Sequence, residues 1–175
     1  MKAAVMRQSS MRQASDFRSA RALVLCVLTV ALMLLWAIPT KAAEPLGGLD
    51  WNGDQITWHD YASGLAKAKD TGKPAIVVIH TTWCPYCAKY QPIFHDPKIV
   101  TAAQNYIMIL IDRDREKELN KRLGPNGQTG IPRTIFLKSD GTVRPEIAGA
   151  NKEFPNLIDY SSPDELLRLM TSATP

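Results

Sequence analysis

The stretch "PAIVVIHTTWCPYC", residues 74–87, joins an apolar run to two cysteines that are separated by two residues. The run is short, β-branched and apolar at successive positions, which is typical of a strand buried on both faces of a parallel or mixed sheet. Its carboxyl end leads directly into the cysteines. A redox pair, half of a metal site and a structural disulfide would each place two cysteines at this spacing.

The spacing of the two cysteines suits thiol chemistry. A helix that begins at the motif would place Cys84 at its amino terminus and Cys87 one turn further along. The helix dipole and the unpaired N–H groups there favour the thiolate form of Cys84. Pro85 costs little in the first turn, because the N–H that it lacks would be unpaired anyway. We therefore expect Cys84 to attack a disulfide and Cys87 to resolve the mixed disulfide that forms.

Residues 1–42 have the composition of a secretory signal peptide. Five basic side chains and one acidic side chain precede the apolar run 22–38, and small residues follow around a cleavage site after Ala42. We expect residues 1–42 to be removed, and residues 43–175 to form one domain in the periplasm or another exported location. An uncleaved membrane anchor is the alternative, and only then would the protein be attached to a membrane.

The charge of residues 43–175 argues against a nucleic-acid partner. Residues 1–42 hold six of the 21 Lys and Arg residues and one of the 17 Asp and Glu residues, which leaves 15 basic and 16 acidic residues. The resulting net charge of −1 gives no basic surface for nucleic acid. Cys26 lies in the apolar run, so only the CxxC pair remains. A structural disulfide is disfavoured, because so small a loop gains little from closure.

The rest of the chain predicts strands that alternate with helices. Strands are expected at "ITW" and "YIMILID", and "RTIFLKSDGTVRPEI" predicts two strands joined by a turn at Asp140–Gly141. The predicted helices include one that Pro92 kinks, one capped by Asp96, and a last one with Ser162 and Glu165 as a capping box. The predicted fold class is α/β, a central mixed sheet flanked by helices with the CxxC at a helix amino terminus.

Several motifs together resemble the thioredoxin superfamily: an apolar strand, "WCxxC", Pro92 eight residues after the first cysteine, and "GIP" before a strand. The segments "LGGLDW", "IPRTIFLKSDGTVRPEI" and "IDYSSPDELL" also resemble the anterior-gradient group of small endoplasmic-reticulum proteins. The resemblance covers residues 46–172. It implies a thioredoxin-like fold and disulfide oxidoreductase activity, with Cys84 as nucleophile, Cys87 as resolving thiol and Pro132 as a cis proline at the substrate groove.

Two departures from these families affect the expected mechanism and location. Thioredoxins and disulfide isomerases carry a buried carboxylate six residues before the first cysteine, and Val78 occupies that position here. Water, Asp112 or another group would then have to accept the proton of Cys87. The last residues are "TSATP" rather than an endoplasmic-reticulum retention signal, which favours a bacterial-type envelope location.

The predicted partners are protein thiols and disulfides, together with a redox partner protein or a small thiol. We expect no cofactor and no metal. Substrate contacts are expected from residues beside the cysteines and at the predicted cis proline: Trp83, Pro85, Tyr86, Ile131 and Pro132.

Two other classes of function compete with this interpretation. The CxxC with His80 and His95 could form a zinc or copper site, although a histidine at the end of a buried strand is more often packed than ligating. A thioredoxin-fold interaction protein with little redox turnover is the second alternative, and the intact pair of cysteines argues against it.

Overall fold

A four-stranded mixed sheet lies at the centre of the computed structural model, which describes residues 48–124 and 127–173. The predicted signal peptide or anchor, residues 1–42, lies outside the described residues, and its cleavage stays a prediction. In the part of the chain that is described, no helix is both long enough and apolar enough to cross a membrane.

The sheet is built around its most apolar strand. Its four strands are β1 Trp58–His59, β2 Ala75–His80, β3 Ile107–Asp112 and β4 Arg133–Leu137. Their spatial order is β1-β3-β2-β4. Strand β3 pairs in parallel with β1 and β2, whereas β4 pairs antiparallel with β2. Every residue of β2 is buried, as its continuous apolar sequence predicts for a central strand.

Helices cover both faces of the sheet. They are α1 Tyr61–Thr71, α2 Pro85–Tyr90, α3 Pro97–Ala103, α4 Lys117–Arg122 and α5 Asp164–Ala173, with a 3₁₀ helix at Gln91–His95. Because successive side chains of a strand point to opposite faces, Ile76 and Val78 pack in the core with α2, α3 and α5. Val77 and Ile79 pack in the second core with α1 and α4. The predicted α/β fold class is confirmed.

Two helix signals in the sequence act as expected. Pro92 has no N–H to continue α2, and the chain passes into the 3₁₀ helix Gln91–His95. Asp96 caps α3, since its Oδ1 accepts the N–H of Lys98 at 2.8 Å, and Pro97 occupies the first helical position.

The predicted hairpin after β4 forms its turn but not its second strand. Gly141 has a φ of +88°, and the N–H of Lys138 donates to the carbonyl of Thr142 at 2.8 Å. The returning chain then makes only an isolated bridge, between Leu137 and Val143. The prediction of a second strand was wrong, because Pro145 cannot donate to a ladder and ends the pairing.

The predicted capping box of the last helix was also wrong. Ser162 does accept the N–H of Asp164 through its Oγ, at 3.2 Å. The helix starts at Asp164, however, so that Glu165 is its second residue and its carboxylate is directed to other backbone groups. These are the N–H groups of Ala150 and Asp159.

Candidate active site

Cys84 lies between the carboxyl end of β2 and the amino terminus of α2, where it is the N-cap residue. Its Sγ accepts the N–H of Cys87 at 3.2 Å. Backbone N–H groups at a helix start stabilise negative charge on a sulfur placed in this way. Both thiols are free. Cys84 is 5% exposed and Cys87 is fully buried, so Cys84 is the sulfur that a substrate can approach.

Cys87 is held in its protonated form. Burial, with the hydrogen bond to the Cys84 side chain, raises the pKa of Cys87 to about 12. A backbone hydrogen bond with Thr81 and the positive charge of Arg113 oppose this rise without cancelling it. The Cys84 sulfur is thus the one exposed to substrate, and Cys87 is a buried thiol. Attack on a substrate disulfide by Cys84 and resolution of the mixed disulfide by Cys87 would require this difference.

The loop before β4 lies beside Cys84. The Ile131–Pro132 peptide bond is cis, in agreement with the sequence-based prediction. The carbonyl oxygen of Ile131 accepts a long hydrogen bond from the Cys84 thiol, with an Sγ–O distance of 3.9 Å. Two predicted site elements that are 47 residues apart in sequence are thus in contact.

The position of the missing carboxylate is apolar in the structure as well. Val78 is fully buried, in the same apolar cluster as Cys84 and Cys87. Asp112 does not replace that carboxylate, because its Oδ1 accepts the N–H of Asp114 at 2.9 Å and its Oδ2 lies 3.8 Å from Arg115. Among the described residues, no carboxylate forms a hydrogen bond with Cys87.

Trp83 lies at the exposed edge of the site and is held by charged neighbours. Its indole N–H donates to Asp114 Oδ2 at 2.7 Å, and this bond is the main reason why the pKa of Asp114 is lowered. The guanidinium of Arg113 lies 5.1 Å from the centre of the Trp83 ring. Trp83 is 63% exposed, so an apolar ring faces solvent at a fixed angle.

A cavity of about 490 Å³ opens beside the motif. The predicted substrate contacts Tyr86, Ile131 and Pro132 line it, whereas Trp83 and Pro85 do not. The opposite wall comes from residues 149–160, which the sequence analysis did not select. The segment "IDYSSPDELL" was a signal for this part of the site, since its Tyr160 ring lies 5.8 Å from that of Tyr86.

The two histidines that could complete a metal site have contacts with residues other than the cysteines. His80 is buried against Trp51, with a ring separation of 5.0 Å, and burial lowers its pKa. His95 contacts Asp50, at 3.3 Å from Oδ2. Within residues 48–124 and 127–173, no group of three or more His, Cys, Asp or Glu residues is arranged to hold a metal ion. This geometry favours the redox interpretation.

Comparison with known proteins assigns the chain to a family. A family model described as thioredoxin-like matches residues 57–139. Anterior gradient protein 3 of mouse is 33% identical over 155 residues, which cover 87% of this chain and 90% of the mouse protein. The human anterior gradient protein 3 is 34% identical over 134 residues, covering 75% of this chain and 78% of that protein.

Solved structures agree on the fold. A disulphide isomerase from Xylella fastidiosa Temecula1 has a TM-score of 0.53 and 23% identity, and the match covers 69% of this chain and 98% of that one. A thioredoxin from Thermus thermophilus has a TM-score of 0.52 and 24% identity, covering 67% and 86%. The curated relatives confirm the family predicted from the sequence, and the solved structures agree with its fold. The chain belongs to the thioredoxin superfamily, within its anterior-gradient group.

Proposed function

We propose that this protein is an exported thiol–disulfide oxidoreductase that exchanges disulfides with protein substrates through Cys84 and Cys87. One observation carries the proposal: the Cys84 sulfur accepts the helix N–H of Cys87 at 3.2 Å, and the Ile131 carbonyl oxygen lies 3.9 Å from the same sulfur. The less buried sulfur, that of Cys84, thus lies next to a loop that can position a substrate chain. The second thiol, that of Cys87, is buried one helical turn further along.

The exchange proceeds in two steps. The Cys84 thiolate attacks one sulfur of a substrate disulfide, forms a new S–S bond with it, and releases the other substrate sulfur as a thiolate. Cys87 then loses its proton and attacks the Cys84 sulfur, which releases the first substrate sulfur as a thiolate and leaves a Cys84–Cys87 disulfide. The substrate gains two electrons and the enzyme loses two. The reverse sequence oxidises a substrate dithiol.

Turnover needs a second reaction partner. After one reduction the enzyme holds a disulfide, and a redox partner protein or a small thiol has to restore the dithiol. The reduction potential of the Cys84–Cys87 pair decides whether the enzyme mainly reduces or mainly oxidises its substrates. Equilibration with glutathione buffers measures that potential.

Exchange activity tests the proposed function. The reduced protein should reduce insulin or a fluorogenic peptide disulfide well above the rate of glutathione alone. Variants Cys84→Ser and Cys87→Ser should each abolish turnover, while a Trp83→Phe variant retains most of it. If the unmodified protein exchanges disulfides no faster than glutathione, the proposal is wrong.

Export is tested separately. Intact-mass measurement of the protein from the envelope fraction of an expressing bacterium should give a chain that begins near Ala43. A full-length chain that stays with the membranes would support the anchor instead. A full-length chain in the cytoplasm would contradict export itself.

A further inference from the structure

Residues 149–160, called here the wall segment, form one side of the cavity beside the motif. The wall segment contains turns and bends but neither helix nor strand. Leu157 and Tyr160 of the wall segment line the cavity together with Tyr86 and Pro132, and the Tyr160 ring contacts the Tyr86 ring. An irregular segment can keep a cavity open only if its backbone is fixed at defined points.

Glu165 fixes the wall segment at two points. Its Oε1 accepts the N–H of Ala150 at 2.6 Å, and its Oε2 accepts the N–H of Asp159 at 2.7 Å. Hydrogen bonds from N–H groups to a carboxylate are roughly twice as strong as neutral ones. The Glu165 side chain is only 14% exposed, although the two backbone groups that it binds lie at the surface. One carboxylate in the first turn of α5 thus spans both ends of the wall segment.

Two backbone hydrogen bonds support the wall segment: the first lies within it, and the second joins it to β4. The N–H of Gly149 donates to the carbonyl of Pro155 at 2.7 Å, and the N–H of Thr134 donates to the carbonyl of Asn156 at 2.9 Å. Thr134 is the second residue after the cis proline. A β-carbon on Gly149 would lie 3.3 Å from the Glu165 carboxylate, which shows how closely the two residues pack.

The chemistry of the cavity favours an apolar occupant. Its volume of about 490 Å³ lies within the range of about 300–1,000 Å³ that is common for ligand pockets. Among the described residues, the buried side-chain polar atoms that lack a hydrogen-bond partner all belong to residues that do not line this cavity. Glu165 and Asp159 both line it, but their carboxylates already accept backbone N–H groups. Most of the side chains that line the cavity are therefore apolar or aromatic, and Asn151, Asp159 and Glu165 are the polar ones.

The cavity and the reactive sulfur share a neighbour, Ile131. Ile131 lines it and also contacts Cys84 through its carbonyl. A substrate cysteine bonded to Cys84 would therefore have its neighbouring residue at the mouth of the cavity.

We propose that Glu165 is a positioning residue: it fixes the wall of a subsite that receives a large apolar side chain next to the substrate cysteine. This inference rests on the proposed function. It assigns a substrate class, polypeptide disulfides with a bulky apolar residue beside the cysteine. It also assigns a specificity role to a residue outside the CxxC and the cis-proline loop.

Two peptide disulfides test the proposal. They differ only in the residue next to the cysteine, which is Phe in one and Gly in the other. The unmodified protein should prefer the Phe peptide, and Glu165→Ala should lower the Phe-to-Gly ratio of kcat/KM by about tenfold, mainly through KM. Glu165→Gln, which can accept only one of the two N–H groups, should fall in between. Asp164→Asn, in the same helical turn, is the matched control and should keep the ratio.

Reduction of a small disulfide, bis(2-hydroxyethyl) disulfide, separates this inference from the proposed function. Glu165→Ala should change the rate with this substrate much less than the rate with the Phe peptide, because the small disulfide has no side chain for the cavity. An unchanged Phe-to-Gly ratio in Glu165→Ala would overturn the inference while the proposed function stands. Failure of the unmodified protein to reduce either peptide or the small disulfide would overturn both.

A second variant covers the case in which Glu165→Ala does not fold. Ala150→Phe keeps Glu165 and both of its hydrogen bonds, but it places a ring in the cavity from the wall side. It should abolish the preference for the Phe peptide and spare the small disulfide. A retained preference in Ala150→Phe would show that the flanking residue binds elsewhere.

Discussion

At the scale of single residues, the difficult step of the proposed reaction belongs to Cys87. Burial raises its pKa to about 12, and no carboxylate among the described residues is hydrogen-bonded to it. Thr81 and Arg113 favour the thiolate only in part. Attack on the mixed disulfide needs that thiolate, so resolution should be slower than the first attack by Cys84 near neutral pH.

An acid at position 78 should speed that step. We expect mixed disulfides to accumulate in the unmodified protein and to decay faster as pH rises, because more of Cys87 is deprotonated. Val78→Glu should accelerate the decay at pH 7, since the new carboxylate can accept the proton, although an unpaired buried acid costs roughly a few kcal/mol of stability. Stopped-flow measurement of intermediate decay against pH checks both expectations.

Val78→Gln is the matched control for this prediction. It introduces a side chain of similar size that cannot accept the proton at neutral pH, and it should leave the decay slow. A pH-independent decay that Val78→Glu does not accelerate would mean that another group already takes the proton.

At the scale of elements, α1 lies unusually close to the sheet. Gly64 and Ala68 are its buried residues, four positions apart on one face. A β-carbon on Gly64 would lie 2.7 Å from Ile109 Cδ1 of β3 and 3.2 Å from the β-carbon of His59 in β1. Small residues at these positions therefore set the distance between the helix and the sheet.

Enlarging Gly64 should separate these elements. Gly64→Val should lower the free energy of unfolding by about 1–3 kcal/mol, because its methyl groups overlap Ile109. Ala66→Val, on the exposed side of α1, introduces the same side chain without the overlap and should have a much smaller effect. Urea unfolding followed by circular dichroism measures both. A Gly64→Val variant that is as stable as the unmodified protein would contradict the close packing of α1 on β3, because the change from Gly to Val does not itself lower helix propensity.

The start of β4 is fixed by a buried cation. Arg133 follows the cis proline directly and is 1% exposed. Its guanidinium donates to the carbonyl of Asn120 at 2.9 Å, and also to the Asn120 side chain and the carbonyl of Gln128. Burial, with the charge of Arg113, lowers its pKa to about 10. These bonds tie β4 to the end of α4 and so help to hold the proline loop beside Cys84.

At the scale of the whole molecule, the core on the α2 side of the sheet contains two ionisable side chains that burial keeps protonated. One belongs to Cys87 and the other to Tyr90, whose pKa burial also raises. The Tyr90 hydroxyl is hydrogen-bonded to Thr134 at 2.6 Å. Both groups have lower pKa values in the unfolded chain. High pH therefore favours the unfolded chain, in which they can lose their protons.

Stability of the reduced protein should therefore fall at high pH. The contribution of these groups is present below about pH 9. It is lost progressively as pH rises from the ordinary pKa values of cysteine and tyrosine to the raised values of the folded protein, about 12 for Cys87. Tyr90→Phe should be less stable at pH 7 by about 1 kcal/mol, through loss of its hydrogen bond, yet lose less stability between pH 9 and 11. Urea unfolding across that range checks this. Tyr160→Phe is the control, and an unchanged pH slope in Tyr90→Phe would contradict the assignment.

Local rules predicted most of the fold and half of the site. The apolar run of β2, the capping by Asp96 and the break at Pro92 depend on neighbours within a few residues, so the sequence was sufficient for them. The absence of a strand at Val143 follows from Pro145, which is also a local feature of the sequence.

The other half of the site depends on contacts between distant residues. The two bonds of Glu165 reach six and 15 residues back along the chain, and no periodicity or motif records them. The wall segment contains neither helix nor strand, so no hydrophobic pattern predicts where its side chains lie. Its place beside the cysteines follows only once α5 and β4 have packed together.

The most direct test of the account is a trapping experiment on the two cysteines. The reduced variants Cys87→Ala and Cys84→Ala are each mixed with an excess of a disulfide-bonded polypeptide, quenched with acid, and analysed by intact mass. Cys87→Ala should carry one substrate chain in a mixed disulfide at Cys84, and Cys84→Ala should carry almost none, since Cys87 is buried and protonated. A mixed disulfide that forms in Cys84→Ala and not in Cys87→Ala would contradict the assigned roles.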